Sequence, residues 1–308
     1  MIANRTTLIL GAGASAPTYP TGAALIDRIT ESYTKGSERE RFAVRMRNSM
    51  LPSIDAFLAE EGNSDLVEHG RKAIAEVLLP CEQKASPPWY RLLFNAIRSP
   101  RSTKHSKRLQ VVTFNYDLSL EYSLWRAFSA AYKIGSEEAK TRMDEAVDII
   151  HVYGQLGKIA APSGDRSYGD TEYRHHIESA SRGIQIIGRK PDDPRFNQAH
   201  EAIANADFLA VLGFGFDETN VANLKLTELA EDKTVFSTGY KMGYGMRAWL
   251  RSIGLAKILI APPTHDVETF LNKSAFLHWA NIPGLTGTHM HGAIVSELKA
   301  AKYHLPDY

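Results

Sequence analysis

Short apolar runs recur along the chain at wide intervals: Thr7 to Leu10, Gln110 to Phe114, Asp148 to Val152, Gly183 to Ile187, Phe208 to Leu212, Thr234 to Ser237 and Lys257 to Ile260. They lack polar alternation and so predict strands buried on both faces. Between them, apolar residues fall at threes and fours over Ala23 to Tyr33, Leu66 to Leu79, Leu118 to Phe128 and Asn220 to Leu229, which predicts helices. Strand and helix in alternation predict an α/β fold of three layers, a parallel sheet with helices on both faces. One interval breaks the rhythm. Roughly a hundred residues separate the first two strand runs, and they are helix-patterned with little strand signal. An inserted all-helical module is therefore expected at residues 36–107, between Lys35-Gly36-Ser37 and the Arg98 to Lys104 stretch, with the core formed by 1–35 and 108–308. A second, shorter insertion is expected from Pro162 to Arg182.

Composition narrows the class without naming it. The chain has 308 residues, 44% hydrophobic and 23% charged, which excludes disordered, collagen-like and low-complexity proteins. Lys and Arg total 36 against 35 Asp and Glu, so no global basic field exists to hold nucleic acid, and direct nucleic-acid binding is not expected. Cys81 is the only cysteine, which excludes an intrachain disulfide, a four-Cys zinc site and a CxxC motif. A reducing, cytoplasmic setting fits. The apolar start, MIANRTTLILGAGA, is broken by glycines and too short for a signal or membrane segment, so it reads as the first strand.

Four strand ends carry candidate chemistry. After the first strand, Gly11-Ala12-Gly13-Ala14-Ser15-Ala16 leads through Pro17 to Pro20 into a helix. Glycines there let backbone approach a diphosphate, with exposed amides as donors; the plain alternative is a strand-to-helix turn. The pattern formally matches GxGxxA, yet no strand ending in an acidic residue follows about 20 residues later to hold a ribose, which disfavours a hydride-transferring enzyme. The second strand ends on Thr113, Asn115 and Asp117, either projecting into a ligand cleft or forming an Asx turn that caps the next helix. The third ends at His151 beside Gly154, in His-Val-Tyr-Gly, where the imidazole can act as a base near neutral pH or serve structure alone. The fourth runs into Leu212-Gly213-Phe214-Gly215-Phe216-Asp217-Glu218-Thr219-Asn220. Asp217 and Glu218 would repel phosphate there and suit helix capping or ribose hydroxyls better.

The ordered set GAGAS, TFNYD, HVYG and LGFGFDETN, with Ser53-Ile54-Asp55-Ala56-Phe57-Leu58 between, resembles the sirtuin-like NAD-hydrolase family of bacterial antiphage defence systems, relatives of the sirtuins. The resemblance spans Leu8 to about Asn220. It implies a Rossmann-like core, catalytic roles for Asn115 and His151, and NAD as substrate with no metal. It implies further that Gly11, Ala12, Gly13, Ala14 and Ser15 cradle the diphosphate, that Asp117 supports the nicotinamide side, that Gly213, Phe214, Gly215 and Phe216 line the adenosine side, and that Thr113, Gly154 and Asn220 also bind NAD. Two departures from the deacylating sirtuins stand out. One cysteine cannot build their four-Cys zinc module, and Ala16 to Gly22 reads APTYPTG where they carry a GIPDFR-type loop, so water is the expected acceptor.

The chemistry suits these residue types. Cleavage between nicotinamide and ribose has an oxocarbenium-like transition state, and the departing group is already cationic, so no general acid is needed. Asn115 can hold a water or a ribose hydroxyl, and His151 can accept a proton. The expected reaction is NAD hydrolysis to ADP-ribose and nicotinamide, depleting NAD in abortive infection. A catalytically silent NAD or ADP-ribose binding scaffold and a protein deacylase are the other two readings. The resemblance also implies control by assembly, through homo-oligomerisation or a HerA-like ATPase or other defence protein.

Weaker features stand apart from this set. His289 and His291 alternate like metal ligands without a carboxylate cluster or cysteine nearby, and His175-His176 is weaker still. Arg98, Arg101, Lys104, Lys107 and Arg108 lack interleaved aromatics and read as a solvated linker. Lys35 to Arg47 reads as an exposed helix face. The Tyr240 to Arg251 stretch can lean on an adenine, but its Met and aromatic residues fit core positions better.

Overall fold

The structure is a computed structural model that describes residues 2–31, 37–51, 53–98, 109–159, 168–186, 193–255, 257–274 and 276–285. Six strands form one parallel sheet: β1 (Thr6–Leu10), β2 (Leu109–Thr113), β3 (Val147–His151), β4 (Phe208–Leu212), β5 (Val235–Ser237) and β6 (Ile258–Ile260), in the order β3-β2-β1-β4-β5-β6. The three-layer parallel α/β fold expected from the apolar runs is thus observed. β1 and β4 are buried at every position, as strands covered on both faces must be. A threonine inside such a strand needs a partner, and Thr7 finds one by donating to the Ala202 carbonyl at 2.7 Å.

Among the described residues, five α-helices lie between β1 and β2: α1 (Gly22–Glu31), α2 (Glu38–Asn48), α3 (Ile54–Glu60), α4 (Ser64–Leu78) and α5 (Tyr90–Ile97). The module boundaries expected at Gly36 and Lys107 lie outside the described residues, as do Arg101 to Arg108. α2 to α4 do not form a core of their own. Phe42, Met46, Ile54, Leu58 and Ile74 share one buried cluster with Ile9, Val112 and Val211 of the sheet. α6 (Ser119–Tyr132) and α7 (Ser136–Ala146) join β2 to β3. With α5 they cover the opposite face, where Leu93, Phe94, Leu124 and Phe128 pack on Leu8, Val111 and Phe208. The return to β4 passes through α8 (Ile177–Arg182) and α9 (Pro194–Ala204), followed by α10 (Glu218–Asn223), α11 (Leu226–Leu229), α12 (Tyr244–Ser252), α13 (Val267–Lys273) and α14 (Phe276–Trp279). No described helix is long and apolar enough to cross a membrane.

Three expectations are corrected. Gly183 to Ile187 is not a sheet strand: Ile184 makes a single antiparallel bridge to Gly154, and Gln155 and Gln185 exchange backbone bonds with Gly183 and Tyr153 at 3.0 and 2.8 Å. The segment clasps the loop after β3, and Ile187 lies outside the described residues. The helix expected over Asn220 to Leu229 is two helices, because Lys225 is left-handed at φ 49° and ends the run. The Tyr240 to Arg251 stretch is not all core. Arg247 is buried and donates to the Gly239 and Ala261 carbonyls, whereas Tyr240, Tyr244 and Met246 point to solvent. The segment expected as a second insertion begins outside the described residues, up to residue 167; from Tyr168 it continues through α8, which packs on α4.

Candidate functional site

Strand register brings the four motifs level. Leu10 pairs with Thr113 on one side and Leu212 on the other, and Thr113 pairs with His151. Every polar strand end therefore emerges at the carboxyl edge, and β1 and β4 flank the point where the strand order reverses. That crevice is where open parallel sheets of this order bind ligands.

At the crevice two loops touch through backbone. Gly13 donates to the Gly213 carbonyl at 2.9 Å and Gly11 to Leu212 at 3.0 Å. Gly213 has φ +59°, and a Cβ there would stand 2.1 Å from the Ala14 nitrogen; a Cβ on Gly11 would meet Phe214 Cα at 2.6 Å. The glycines are required by loop packing, a reason the bare pattern does not reveal. Ala14 and Ser15 donate within the turn, to Gly11 and Ala12. Four of the five amides from Gly11 to Ser15 are thereby engaged. The amide of Ala12 is the exception among the described residues. Trp89 fixes the turn from behind, its indole donating to the Ala14 carbonyl at 2.8 Å.

On the β2 side the hydroxyl and carboxyl groups form a chain whose donor directions are determined. Ser15 Oγ donates to Asp117 Oδ2 at 2.9 Å, and Ser119 Oγ donates to Asp117 Oδ1. With their single protons spent, both serines must accept their remaining bonds: Tyr90 donates to Ser119 at 2.7 Å, and Asn115 Nδ2 to Ser15 at 3.0 Å. This fixes the Asn115 amide. Its Oδ1 is left buried with no hydrogen-bond partner, an orphan acceptor. Thr113 Oγ1 accepts the Asn115 backbone amide at 3.1 Å and holds the turn. Asp117 also accepts the Ser119 amide at 3.1 Å, so the Asx-turn alternative holds for this residue alongside its part in the network, while the N-cap of the next helix is Leu118 with no side-chain cap bond. Burial raises the Asp117 carboxyl pKa; the bonds from Ser119 and Ser15 oppose the shift, and Glu121 adds to it.

His151 closes the network. Nδ1 lies 2.8 Å from the Asn115 carbonyl, which only accepts, so Nδ1 carries a proton. Nε2 is bonded to Glu121. Burial pulls the imidazole pKa down, but the charge and hydrogen bond of Glu121, the Asn115 carbonyl and Asp117 together raise it above the ordinary histidine value. Glu121 is a site residue that the motif reading did not single out. It lies four positions after Asp117, one helical turn on, which is the only signal the sequence offers.

The residues expected on the adenosine side are placed differently. Phe214 and Phe216 are buried and stacked edge to face at 5.3 Å, with Phe114 5.0 Å from Phe214, while Gly215 is exposed. Tyr153, edge to face with Phe114 at 5.3 Å, donates to Asn220 Oδ1. Tyr153 is buried in the core cluster, and Phe114 packs partly buried against it. Asp217 caps α10, accepting from Thr219 and Asn220 at 3.0 and 3.2 Å. Gly154, at φ +73°, makes the turn after His151. Asp55, in the SIDAFL segment, accepts from Tyr116 on the loop after β2, and burial raises its carboxyl pKa. His289 and His291 lie outside the described residues; His176 pairs with Asp170 at 3.2 Å.

Fold and site together define a doubly wound α/β protein with a buried polar cluster at its switch point. Among solved structures the chain is similar to a triply substituted Sir2 homologue in complex with 2′-O-acetyl ADP-ribose, at 13% identity and a TM-score of 0.42, over 98% of this chain and 94% of that one. No protein-family model matches the chain, and no curated protein matches it.

Proposed function

We propose that this chain is an NAD glycohydrolase that cleaves NAD to ADP-ribose and nicotinamide, with water as acceptor. The observation that carries the reading is the convergence of Ser15, Asn115, Asp117 and His151, from the ends of three strands, into one hydrogen-bonded cluster in which a single buried acceptor, Asn115 Oδ1, has no partner. A water or a ribose hydroxyl is the donor that this oxygen lacks. The His151 pair handles the proton, and Asp117 orients Ser15 and Asn115. The diphosphate lies against the Gly11 to Ser15 turn, at the amide of Ala12, and the adenosine against Gly213, Phe214, Gly215, Phe216 and Asn220. The motif order supports a role in antiphage defence through NAD depletion, with control by self-assembly or by a partner such as a HerA-like ATPase.

The test is NAD loss with nicotinamide release by wild type, Asn115→Ala and His151→Ala, each alone and with the proteins encoded beside it. Turnover by wild type and a fall of at least about a hundredfold in both variants is the expected result. Bound but uncleaved NAD in wild type under every condition supports the silent scaffold instead, and NAD-dependent loss of acetyl from a peptide supports a deacylase.

A further inference from the structure

His151 is placed where a base is needed, yet its ring has no lone pair to offer. Nδ1 donates to the Asn115 carbonyl at 2.8 Å, and Nε2 is taken by Glu121. A ribose hydroxyl or water that reached Nε2 would have to displace a carboxylate already bonded there. Exposure shows which member of the pair faces outward: the His151 side chain is 5% exposed and that of Glu121 16%. The carboxylate stands between the imidazole and solvent.

Glu121 is also held rigidly. It sits in the first turn of α6, whose start is fixed by the bonds from Ser119 to Asp117. Its neighbour Tyr122 stacks on Tyr168 at 4.2 Å, and Tyr168 hydrogen-bonds Tyr19 at 2.8 Å, which ties this turn back to the segment after Ser15. A carboxylate braced in this way, bonded to the imidazole whose other nitrogen meets the Asn115 backbone carbonyl, is the group that an oxocarbenium-like centre calls for. It attracts the developing positive charge, whereas an imidazolium repels it.

We propose that Glu121 is the catalytic carboxylate of the NAD-cleaving site, and that His151 is a positioning residue that orients it. The proposal rests on the glycohydrolase reading above. In the step it describes, the bond between ribose C1′ and the nicotinamide nitrogen breaks and its electron pair leaves with neutral nicotinamide. The oxygen of a water held by Asn115 Oδ1 bonds to C1′, and the proton lost from that water passes to Glu121, which later releases it to solvent. NAD and water give ADP-ribose, nicotinamide and one proton. His151, bonded to the Asn115 carbonyl and to Glu121, keeps the water-holding and proton-accepting groups in register.

Glu121→Gln separates this role from a purely structural one, because a glutamine oxygen still accepts from Nε2–H but cannot take a proton. Nicotinamide release would be followed for wild type, E121Q and E121A, with circular dichroism and thermal midpoint as checks on folding and calorimetry with NAD as a check on binding. The expected result is a fall in kcat of at least a hundredfold in E121Q with KM changed less than threefold, and partial recovery of E121A by added formate. An E121Q protein that keeps turnover within threefold of wild type overturns the proposal alone and returns the base to His151. Wild type that leaves NAD intact with every partner overturns the glycohydrolase reading, and the proposal with it.

Discussion

Either side of the switch point, the same sheet edge is built from different materials. Toward β2 and β3 it presents hydroxyls, carboxyls, an amide and an imidazole, each hydrogen-bonded so that proton directions are set: Tyr90 to Ser119 to Asp117, and Asn115 to Ser15 to Asp117. Toward β4 and β5 it presents backbone and rings: Gly213 against Gly13, Phe214 against Phe216, and the Thr238 hydroxyl accepting the Gly213 amide at 2.8 Å. A buried polar network is stable only when nearly every member is satisfied, so its single vacancy is informative. An apolar wall tolerates substitution until shape fails. One half of the edge thus suits chemistry and the other suits holding a ligand.

The largest expected effect breaks the junction between the halves. Gly213→Val places a branched side chain at φ +59° and against the Ala14 nitrogen, and should cost about 3–5 kcal/mol, read as a fall in the urea midpoint. If the variant is as stable as wild type, the two loops are not packed as described. Asp117→Asn comes next. The new amide cannot accept from both Ser15 and Ser119, so about 1–3 kcal/mol should be lost and the Asn115 amide set free to turn, with at least tenfold less turnover. Stability lost without a change in turnover would confine Asp117 to the turn before α6. The smallest effect is the pH dependence of the polar half. The folded-state pKa of His151 is raised, so its contribution to stability is fully present below the ordinary histidine value of about 6.5 and is lost as pH rises through the raised value. Thermal midpoints from pH 6 to 9 should show that decline in wild type and a shallower one in Glu121→Gln. Identical slopes would detach Glu121 from the imidazole.

The strands were legible because burial on both faces leaves a run such as FLAVL without polar alternation, and the observed β4 matches Phe208 to Leu212 residue for residue. Gly183 to Ile187 misled for a related reason. An apolar pentapeptide looks the same whether it joins a sheet or clasps a loop, and only the tertiary contact of Ile184 with Gly154 decides. Asn115 and His151 stood out as polar residues ending apolar runs. Glu121 did not, because a glutamate inside a helical pattern reads as solvent-facing, and its bond to a histidine 30 positions later depends on the β2–β3 register. The glycines of the first turn were legible as glycines, but their close approach to Gly213 is a contact across 200 residues that no local pattern carries. Tyr240, Tyr244 and Met246 defeated the core reading: they are exposed, and the side chain this stretch buries is Arg247, bonded to the Gly239 and Ala261 carbonyls.

Trp89 gives the site a native optical reporter. Its indole is 2% exposed and donates to the carbonyl of Ala14, in the turn that meets both halves of the crevice. A ligand that shifts or polarises the Gly11 to Ser15 turn alters the surroundings of this indole, and the Trp89 share of the emission of the chain's four tryptophans reports a site that the ligand itself need not touch.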